Sequence, residues 1–138
     1  MLHKIHHIAF AVYDLERIIE DFKIYGRKPS KEIIIKDRKM KAVLFKVGET
    51  WLEYLAPISK KSPLSDFLQK KGEGFHHIAY LVDEIKDVMD TLPEGALRSS
   101  RKSDVGDWSI ADIEPKYSMG LKMQIIEEHP GKVNNNND

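Results

Sequence analysis

The amino-acid sequence predicts an α+β fold built from two copies of a βαβββ module. The main observation is a repeat, because residues 6–12 (HHIAFAV) return as residues 76–82 (HHIAYLV), a shift of 70 positions (76 − 6). The apolar positions of the helix that follows keep the same shift. Leu15, Ile18, Ile19 and Phe22 recur as Ile85, Val88, Met89 and Leu92. Two modules related by a pseudo-twofold axis can bring one histidine from each copy to a shared site, which indicates a metal.

The first strand of each copy predicts which histidine faces that site. In residues 3–12, one face carries small residues and a histidine, which leaves room for a cavity, and the other face is bulky. The faces are Ile5, His7, Ala9 and Ala11, and His6, Ile8, Phe10 and Val12. We therefore expect His7 and His77 to face the cavity and His6 and His76 to pack against a helix.

The remaining helices and strands are predicted from helix-capping residues, regularly spaced apolar residues and turn residues. Asp14 is a plausible N-cap for the first helix, which is expected to end near Gly26. Ser62-Pro63 is expected to begin a linker helix over residues 62–72, which Gly72 ends. Further strands are expected at residues 31–36, 40–47 and 50–56, so that module one spans 3–57 and module two, with turns at Gly106-Asp107, Pro115 and Gly120, spans 74–127.

Length and composition bound the class of protein. The 138 residues, 41% of them hydrophobic, suit one domain over residues 1–130, with a tail at 131–138 that we expect to be disordered. The net charge is zero, and basic and acidic residues are mixed along the chain, so nucleic-acid binding is not expected. No apolar run is long enough for a bilayer and no signal-peptide pattern is present, so we expect no membrane association and a cytoplasmic protein. Because cysteine is absent, a metal must be held by nitrogen and oxygen.

Glu53 and Gln124 complete a candidate ligand set. Glu53 lies mid-strand in an apolar segment, where a buried carboxylate needs a cation or strong hydrogen bonds. A shift of 71 residues leads from Glu53 to Gln124, in the matching last strand of module two. The predicted metal ligands are His7, Glu53, His77 and Gln124, a donor set that suits Zn²⁺, Ni²⁺, Co²⁺ or Mn²⁺.

Simpler interpretations remain open for each of these residues. Strand histidines are often satisfied core residues, a mid-strand glutamate is usually solvated, and a repeat is also retained for folding alone. The symmetric placement of all four polar residues favours the metal. His3 and His129 have no such support and are expected on the surface.

Several motifs resemble the vicinal-oxygen-chelate (glyoxalase/bleomycin-resistance) superfamily over residues 3–127. The chain is most similar to its methylmalonyl-CoA epimerase-like members, followed by bacterial glyoxalase I relatives. The resemblance implies two modules that form a curved mixed sheet around a metal, whose open positions chelate a substrate carbonyl or enolate. It also implies that the four predicted ligands carry over. The motifs are His7-Ile8-Ala9, Glu53-Tyr54-Leu55-Ala56-Pro57, Ser62-Pro63 with Phe67-Leu68, and Gly72-Glu73-Gly74-Phe75-His76-His77-Ile78-Ala79.

Two positions depart from the family pattern. Gln124 stands where the family usually has a glutamate that also acts as a base, and Ala42 stands where epimerases have a second acid. Exchanging the modules about the pseudo-twofold axis takes position 42 to Asp112 (42 + 70), so Glu53 and Asp112 become the candidate acid/base pair. The alternatives are that Asp112 faces solvent, or that a shift of 71 selects Ile113 instead.

The resemblance implies a metal-dependent epimerase or isomerase that removes a proton α to a carbonyl or thioester. A glyoxalase I-like lyase (lactoylglutathione lyase type) and a non-catalytic ligand-binding protein of the same fold are alternatives. A non-haem iron dioxygenase is disfavoured by Gln124. A homodimer is also expected. The substrate is not identified, because the lysines and arginine that form a candidate anion-binding rim are also typical of a solvated surface. They are Lys36, Arg38, Lys39, Lys41, Lys60, Lys61, Lys70 and Lys71.

Overall fold

The structure is a computed structural model that describes residues 1–98 and 100–129. Its elements follow the order βαβββ, a connecting helix, and βαβββ again, which confirms the predicted α+β class and its two modules. The expected tail at 131–138 lies outside the described residues. The elements are β1 (Lys4–Ala11), α1 (Leu15–Ile24), β2 (Lys31–Ile35), β3 (Met40–Val47), β4 (Thr50–Pro57), α2 (Pro63–Lys71), β5 (Gly74–Val82), α3 (Ile85–Thr91), β6 (Arg101–Lys102), β7 (Trp108–Ile113) and β8 (Met123–Glu128), with 3₁₀ turns at Lys36–Arg38 and Pro115–Tyr117.

Two compact units make up the chain. The first is Ile5–Ile78, and the second joins Met1–Lys4 to the described residues from Ala79 onward. Strands β1 and β5 therefore contribute residues to both units. That residues 1–130 act as a single domain stays a prediction.

The strands of the first unit lie in the order β2-β3-β4-β1. Strand β3 pairs antiparallel with β2 and with β4, whereas β1 pairs parallel with β4, so the sheet is mixed as expected. In this register Ala9 lies opposite Glu53, and His7 lies on the same face of β1 as Ala9. The parallel pairing thus places one predicted ligand on each of two neighbouring strands.

Helix α1 covers the other face of this sheet. The carboxylate of Asp14 accepts hydrogen bonds from the backbone N–H groups of Glu16 and Arg17, which confirms the predicted N-cap. The ring of Phe22 stacks on Phe45 with ring centroids 4.0 Å apart. The buried cluster between helix and sheet consists of Val12, Leu15, Ile18, Val43, Phe45 and Ala56.

Helix α2 connects the two modules and lies within the predicted range 62–72. Ser62 Oγ accepts the N–H of Leu64 as the N-cap and donates to the carbonyl of Arg38, 2.8 Å away. Leu68 is buried, and Gly72 follows the last helical residue with φ +77°, a conformation that favours glycine. The caps that the sequence predicted are therefore those that bound the helix.

The strands of the second unit lie in the order β5-β8-β7-β6. Helix α3 packs Ile85 and Val88 against Ala111 and Ile125. The side chain of the N-cap residue, Glu84, makes no capping hydrogen bond to this helix. Instead, Glu127 Oε1 of β8 accepts the N–H of Ile85 at 3.0 Å. None of the helices in the described part of the chain is long and apolar enough to cross a membrane.

Candidate metal centre

Three of the predicted ligands come together in the first unit. His7 is on β1, Glu53 on β4 and His77 on β5, and one ligand atom from each lies within 4.8 Å of the others. Their side chains are buried, with 3%, 5% and 5% of the residue surface exposed. The 70-residue repeat and the mid-strand glutamate thus mark three side chains that the fold brings together.

The geometry of these side chains fits a metal ion. His7 Nε2 and His77 Nε2 are 3.0 Å apart, and His77 Nε2 lies 3.9 Å from Glu53 Oε1. Two ligand nitrogens about 2.1 Å from one ion and roughly at right angles are about 3 Å apart, as observed for the two histidines. A divalent ion would also compensate the buried carboxylate, whose desolvation is otherwise costly. The donor set of two imidazole nitrogens and a carboxylate oxygen suits a borderline divalent ion.

Each histidine of the cluster also contacts the histidine that precedes it. His6 Nδ1 lies 2.8 Å from His7 Nδ1, and His76 Nδ1 lies 2.8 Å from His77 Nδ1. The sequence predicted His6 and His76 only as packing residues, and these polar contacts were missed. The signal that could have found them is the His-His pair itself, which occurs at the same place in both modules.

Gln124 belongs to the second unit, where Asp112 holds its amide. Gln124 Nε2 donates to Asp112 Oδ1 at 3.1 Å, and the two residues lie opposite each other in the β7–β8 register. Gln124 Oε1 is buried and has no hydrogen-bond partner among the described residues. Such an oxygen is suited to accept from a ligand or to bind a cation. That Gln124 is a fourth metal ligand stays a prediction.

Asp112 is held by an arginine that the sequence did not single out. Arg101 Nη1 lies 2.6 Å from Asp112 Oδ2, and the Asp112 side chain is only 18% exposed, so this residue does not face solvent. Burial raises the pKa of Asp112, but the hydrogen bond and charge of Arg101, the hydrogen bond from Gln124 and the charge of Lys122 together hold it below its ordinary value of 3.8. Arg101 was missed because β6 is only two residues long and carries no pattern from which its pairing can be predicted.

The strand register revises the comparison of the two modules at this point. Leu44 lies opposite Glu53, and Asp112 lies opposite Gln124, so the counterpart of Asp112 is Leu44. Ala42, from which the 70-residue shift led to Asp112, lies opposite Leu55. The offset between the third strands is therefore 68 residues (112 − 44) and not 70. Because Ala42 and Leu44 are two residues apart, they lie on the same face of β3. Asp112 shares a face with Gln124 because the two lie opposite each other in the β7–β8 register.

The two histidines expected on the surface are exposed. The His3 side chain is 46% exposed and its Nε2 lies 2.8 Å from Asp83 Oδ1. The His129 side chain is 42% exposed, and its Nε2 lies 2.7 Å from Ser109 Oγ. Neither belongs to the cluster of ligand atoms.

Comparison with known proteins identifies the class to which this fold and site belong. The family model of the glyoxalase/bleomycin resistance protein/dioxygenase superfamily matches residues 6–111. The chain belongs to this superfamily, which confirms the resemblance that its motifs carry.

Its relatives include methylmalonyl-CoA epimerases. The chain is 35% identical to the human mitochondrial methylmalonyl-CoA epimerase over 129 residues, 90% of this chain and 73% of that protein. It is 30% identical to an ethylmalonyl-CoA/methylmalonyl-CoA epimerase of Cereibacter sphaeroides over 100 residues, 71% of this chain and 75% of that protein. A solved structure of a Streptomyces coelicolor methylmalonyl-CoA epimerase variant with 2-nitronate-propionyl-CoA gives a TM-score of 0.82 at 23% identity and covers 94% of this chain and 97% of that chain. At that identity the structural likeness shows the fold.

Proposed function

We propose that the protein is a metal-dependent epimerase that removes and returns the proton α to the carbonyl of an acyl-CoA thioester, with methylmalonyl-CoA as the first substrate to test. The observation that carries the proposal is the buried cluster of His7, Glu53 and His77 in a chain 35% identical to the human epimerase. The proposal of an acyl-CoA substrate follows the named activity of that relative.

The cluster would hold the ion through His7 Nε2, His77 Nε2 and a carboxylate oxygen of Glu53. Zn²⁺, Ni²⁺, Co²⁺ and Mn²⁺ all accept such donors. A divalent ion, when bound, would stabilise the negative charge that develops on the carbonyl oxygen as the α-proton leaves.

Glu53 is the proposed base. Its carboxylate can accept the α-proton on one oxygen and return it, which the amide of Gln124 cannot do at neutral pH. The role of Glu53 is therefore both to ligate the ion and to transfer the proton.

Asp112 is the proposed acid/base group for the opposite face of the substrate carbon. Its carboxylate is ionised at neutral pH, but the lowered pKa makes it a weaker base than an ordinary aspartate. To accept a proton it must loosen its contact with Arg101, 2.6 Å away. Asp112→Asn is expected to impair exchange at one face of the substrate only.

The proposal is tested by exchange of the α-proton in deuterated water. The full chain, loaded with one of the four metals, is incubated with each C2 epimer of methylmalonyl-CoA, and deuterium incorporation and configuration at C2 are measured against a sample without protein. We expect Glu53→Gln to reduce the exchange rate about 10²- to 10⁴-fold, since that is the usual contribution of a general base. Glu32→Gln, at an exposed glutamate of β2, is the matched control and should exchange at the native rate.

Three results would contradict parts of the proposal. Absence of exchange with every acyl-CoA ester in metal-loaded protein would favour the ligand-binding interpretation. Turnover of glutathione hemithioacetals without acyl-CoA exchange would favour the glyoxalase-type lyase. Native exchange in Glu53→Gln would leave the reaction class standing but remove Glu53 as the base.

The expected assembly and location complete the proposal. We propose a homodimer, because an edge strand such as β2 has one side on which a strand of a second copy could pair, and because the family resemblance implies a dimer. Sedimentation equilibrium should give twice the chain mass of 15.9 kDa, and a concentration-independent monomer mass would contradict it. We propose a cytoplasmic location, which imaging of the tagged full chain would test.

A further inference from the structure

We infer that His6 and His76 are positioning residues of the metal centre, each of which orients the neighbouring ligand histidine and fixes Nε2 as its ligating atom. The inference rests on the metal centre proposed above and extends it to two side chains that lie outside the ligand set. It assigns them a role that packing alone does not explain.

The first support is that both modules repeat the same contact. The Nδ1–Nδ1 distance is 2.8 Å between His6 and His7 and 2.8 Å between His76 and His77. The ring centroids are 5.1 Å apart in both pairs, and the interplanar angles are 75° and 73°. Two separate segments of sequence therefore give the same edge-to-face arrangement, as expected of a feature that serves both ligands.

The second support is the chemistry of a neutral imidazole, which carries one hydrogen on one of its two nitrogens. If Nε2 of His7 and His77 binds an ion, Nδ1 of each must carry the hydrogen and donate it. Nδ1 of His6 and His76 must then accept, so the hydrogen of each positioning histidine is on Nε2. In the chain with an ion bound to both Nε2 atoms, each 2.8 Å contact then joins an Nδ1–H donor to an Nδ1 acceptor.

The third support is the surroundings of these two rings. His6 is 1% exposed, and burial of an imidazole at a packing position costs more than burial of an apolar side chain. His76 is half-buried, and its ring lies against Phe67 with centroids 4.7 Å apart. Because packing on Phe67 also restrains His76, we expect the loss of the hydrogen-bond acceptor to matter more at His6.

Partners of this kind hold ligand histidines in metal sites, where a carboxylate, a carbonyl or a water usually takes the place that a second histidine takes here. Their removal typically lowers metal affinity about 10- to 100-fold. An imidazole nitrogen is a neutral acceptor, so it orients the ligand without adding negative charge to a site that already contains Glu53.

Cobalt titration of the full chain tests the inference, with the Kd and the visible absorption spectrum as readouts. His6→Leu and His76→Leu should weaken Co²⁺ binding about 10- to 100-fold, with the larger loss at His6. His6→Asn, whose side-chain oxygen can replace Nδ1 as the acceptor, should recover most of the affinity. His3→Leu, at an exposed histidine before β1, is the matched control and should bind as the native chain does.

Nitrogen-15 NMR of the native chain loaded with Zn²⁺ keeps the test independent of how the leucine variants fold. We expect hydrogen on Nδ1 of His7 and His77, and on Nε2 of His6 and His76. Ligation through Nδ1 of His7 or His77 would overturn the inference, as would native affinity and spectrum in both leucine variants. Failure of the native chain to bind either metal would remove the proposed metal centre itself, which distinguishes the two proposals.

Discussion

Glu53 and Gln124 lie at matching places in the two modules, but their cross-strand neighbours explain why one is an acid and the other an amide. Glu53 lies opposite Leu44, which offers no polar group, so its carboxylate requires a cation or the histidines around it. Gln124 lies opposite Asp112, to which its Nε2 donates. A carboxylate at position 124 would face the carboxylate of Asp112 without a hydrogen to share.

Gln124→Glu should therefore destabilise the chain by about 1–3 kcal/mol at pH 7, because two buried acceptors would replace a donor–acceptor pair. Urea unfolding monitored by tryptophan fluorescence gives the free energy of unfolding. In the double variant Gln124→Glu with Asp112→Asn, the amide donor is supplied from the other strand, so most of the loss should be recovered. Equal stability of Gln124→Glu and the native chain would contradict this account.

The residues of the candidate cluster could be predicted from the sequence because the repeat places a histidine at the same position in both modules. His7 and His77 follow from the shift of 70 residues, and Glu53 from a charge in an apolar strand. The counterpart of Asp112 could not be fixed in this way, because the offset of the third strand depends on loop lengths that vary between modules. Arg101 could not be found either, since its contact with Asp112 joins residues 11 positions apart through a very short strand.

At the scale of elements, helices were predicted well where their caps are local in sequence. Asp14, Ser62 and Gly72 act on residues within one turn of themselves, so their roles can be deduced from the chain order. Helix α3 shows the limit, because Glu127, which accepts the N–H of Ile85, is 42 residues away. A cap supplied by a distant strand leaves no local pattern.

A stacked aromatic pair helps to hold helix α1 on its sheet. Phe45 is fully buried, and Phe22 of α1 stacks on it. Phe45→Ala should lower the free energy of unfolding by about 3–5 kcal/mol, the usual cost of removing a buried aromatic ring. Ile24→Ala, on the same helix at a side chain that is 82% exposed, is the matched control and should change stability by less than about 0.5 kcal/mol. Similar losses in both variants, measured by urea unfolding, would show that the stacked pair does not anchor the helix.

At the scale of the whole molecule, the repeat predicted the architecture, and the composition restricted the side chains that could bind a metal. Two modules of the same element order follow from one 70-residue shift, and the absence of cysteine limits any metal to nitrogen and oxygen ligands. The substrate could not be predicted in the same way, because recognition of a small molecule needs no short motif. It depends on side chains that only folding brings together, and those leave no fixed spacing in the sequence.

Metal binding should stabilise the whole chain, because the ligand atoms of His7, Glu53 and His77 converge only when β1, β4 and β5 are folded. A free metal concentration of 100 times Kd contributes about 2.7 kcal/mol to folding. For a chain of this size that corresponds to a rise of roughly 10 °C in Tm. Thermal unfolding after treatment with a chelator, and again after addition of Co²⁺ or Zn²⁺, measures the difference.

The variant that lacks both histidine ligands, His7→Ala with His77→Ala, is the control for this rise in Tm. It should bind little metal, so its Tm should be the same with and without the ion, whereas His129→Ala, at an exposed histidine, should keep the full rise. A full metal-dependent rise in the double variant would mean that the ion binds elsewhere. The fold would be unaffected by that result, but the proposed assignment of the ligands, and with it the proposed role of the ion in stabilising a developing negative charge, would have to change.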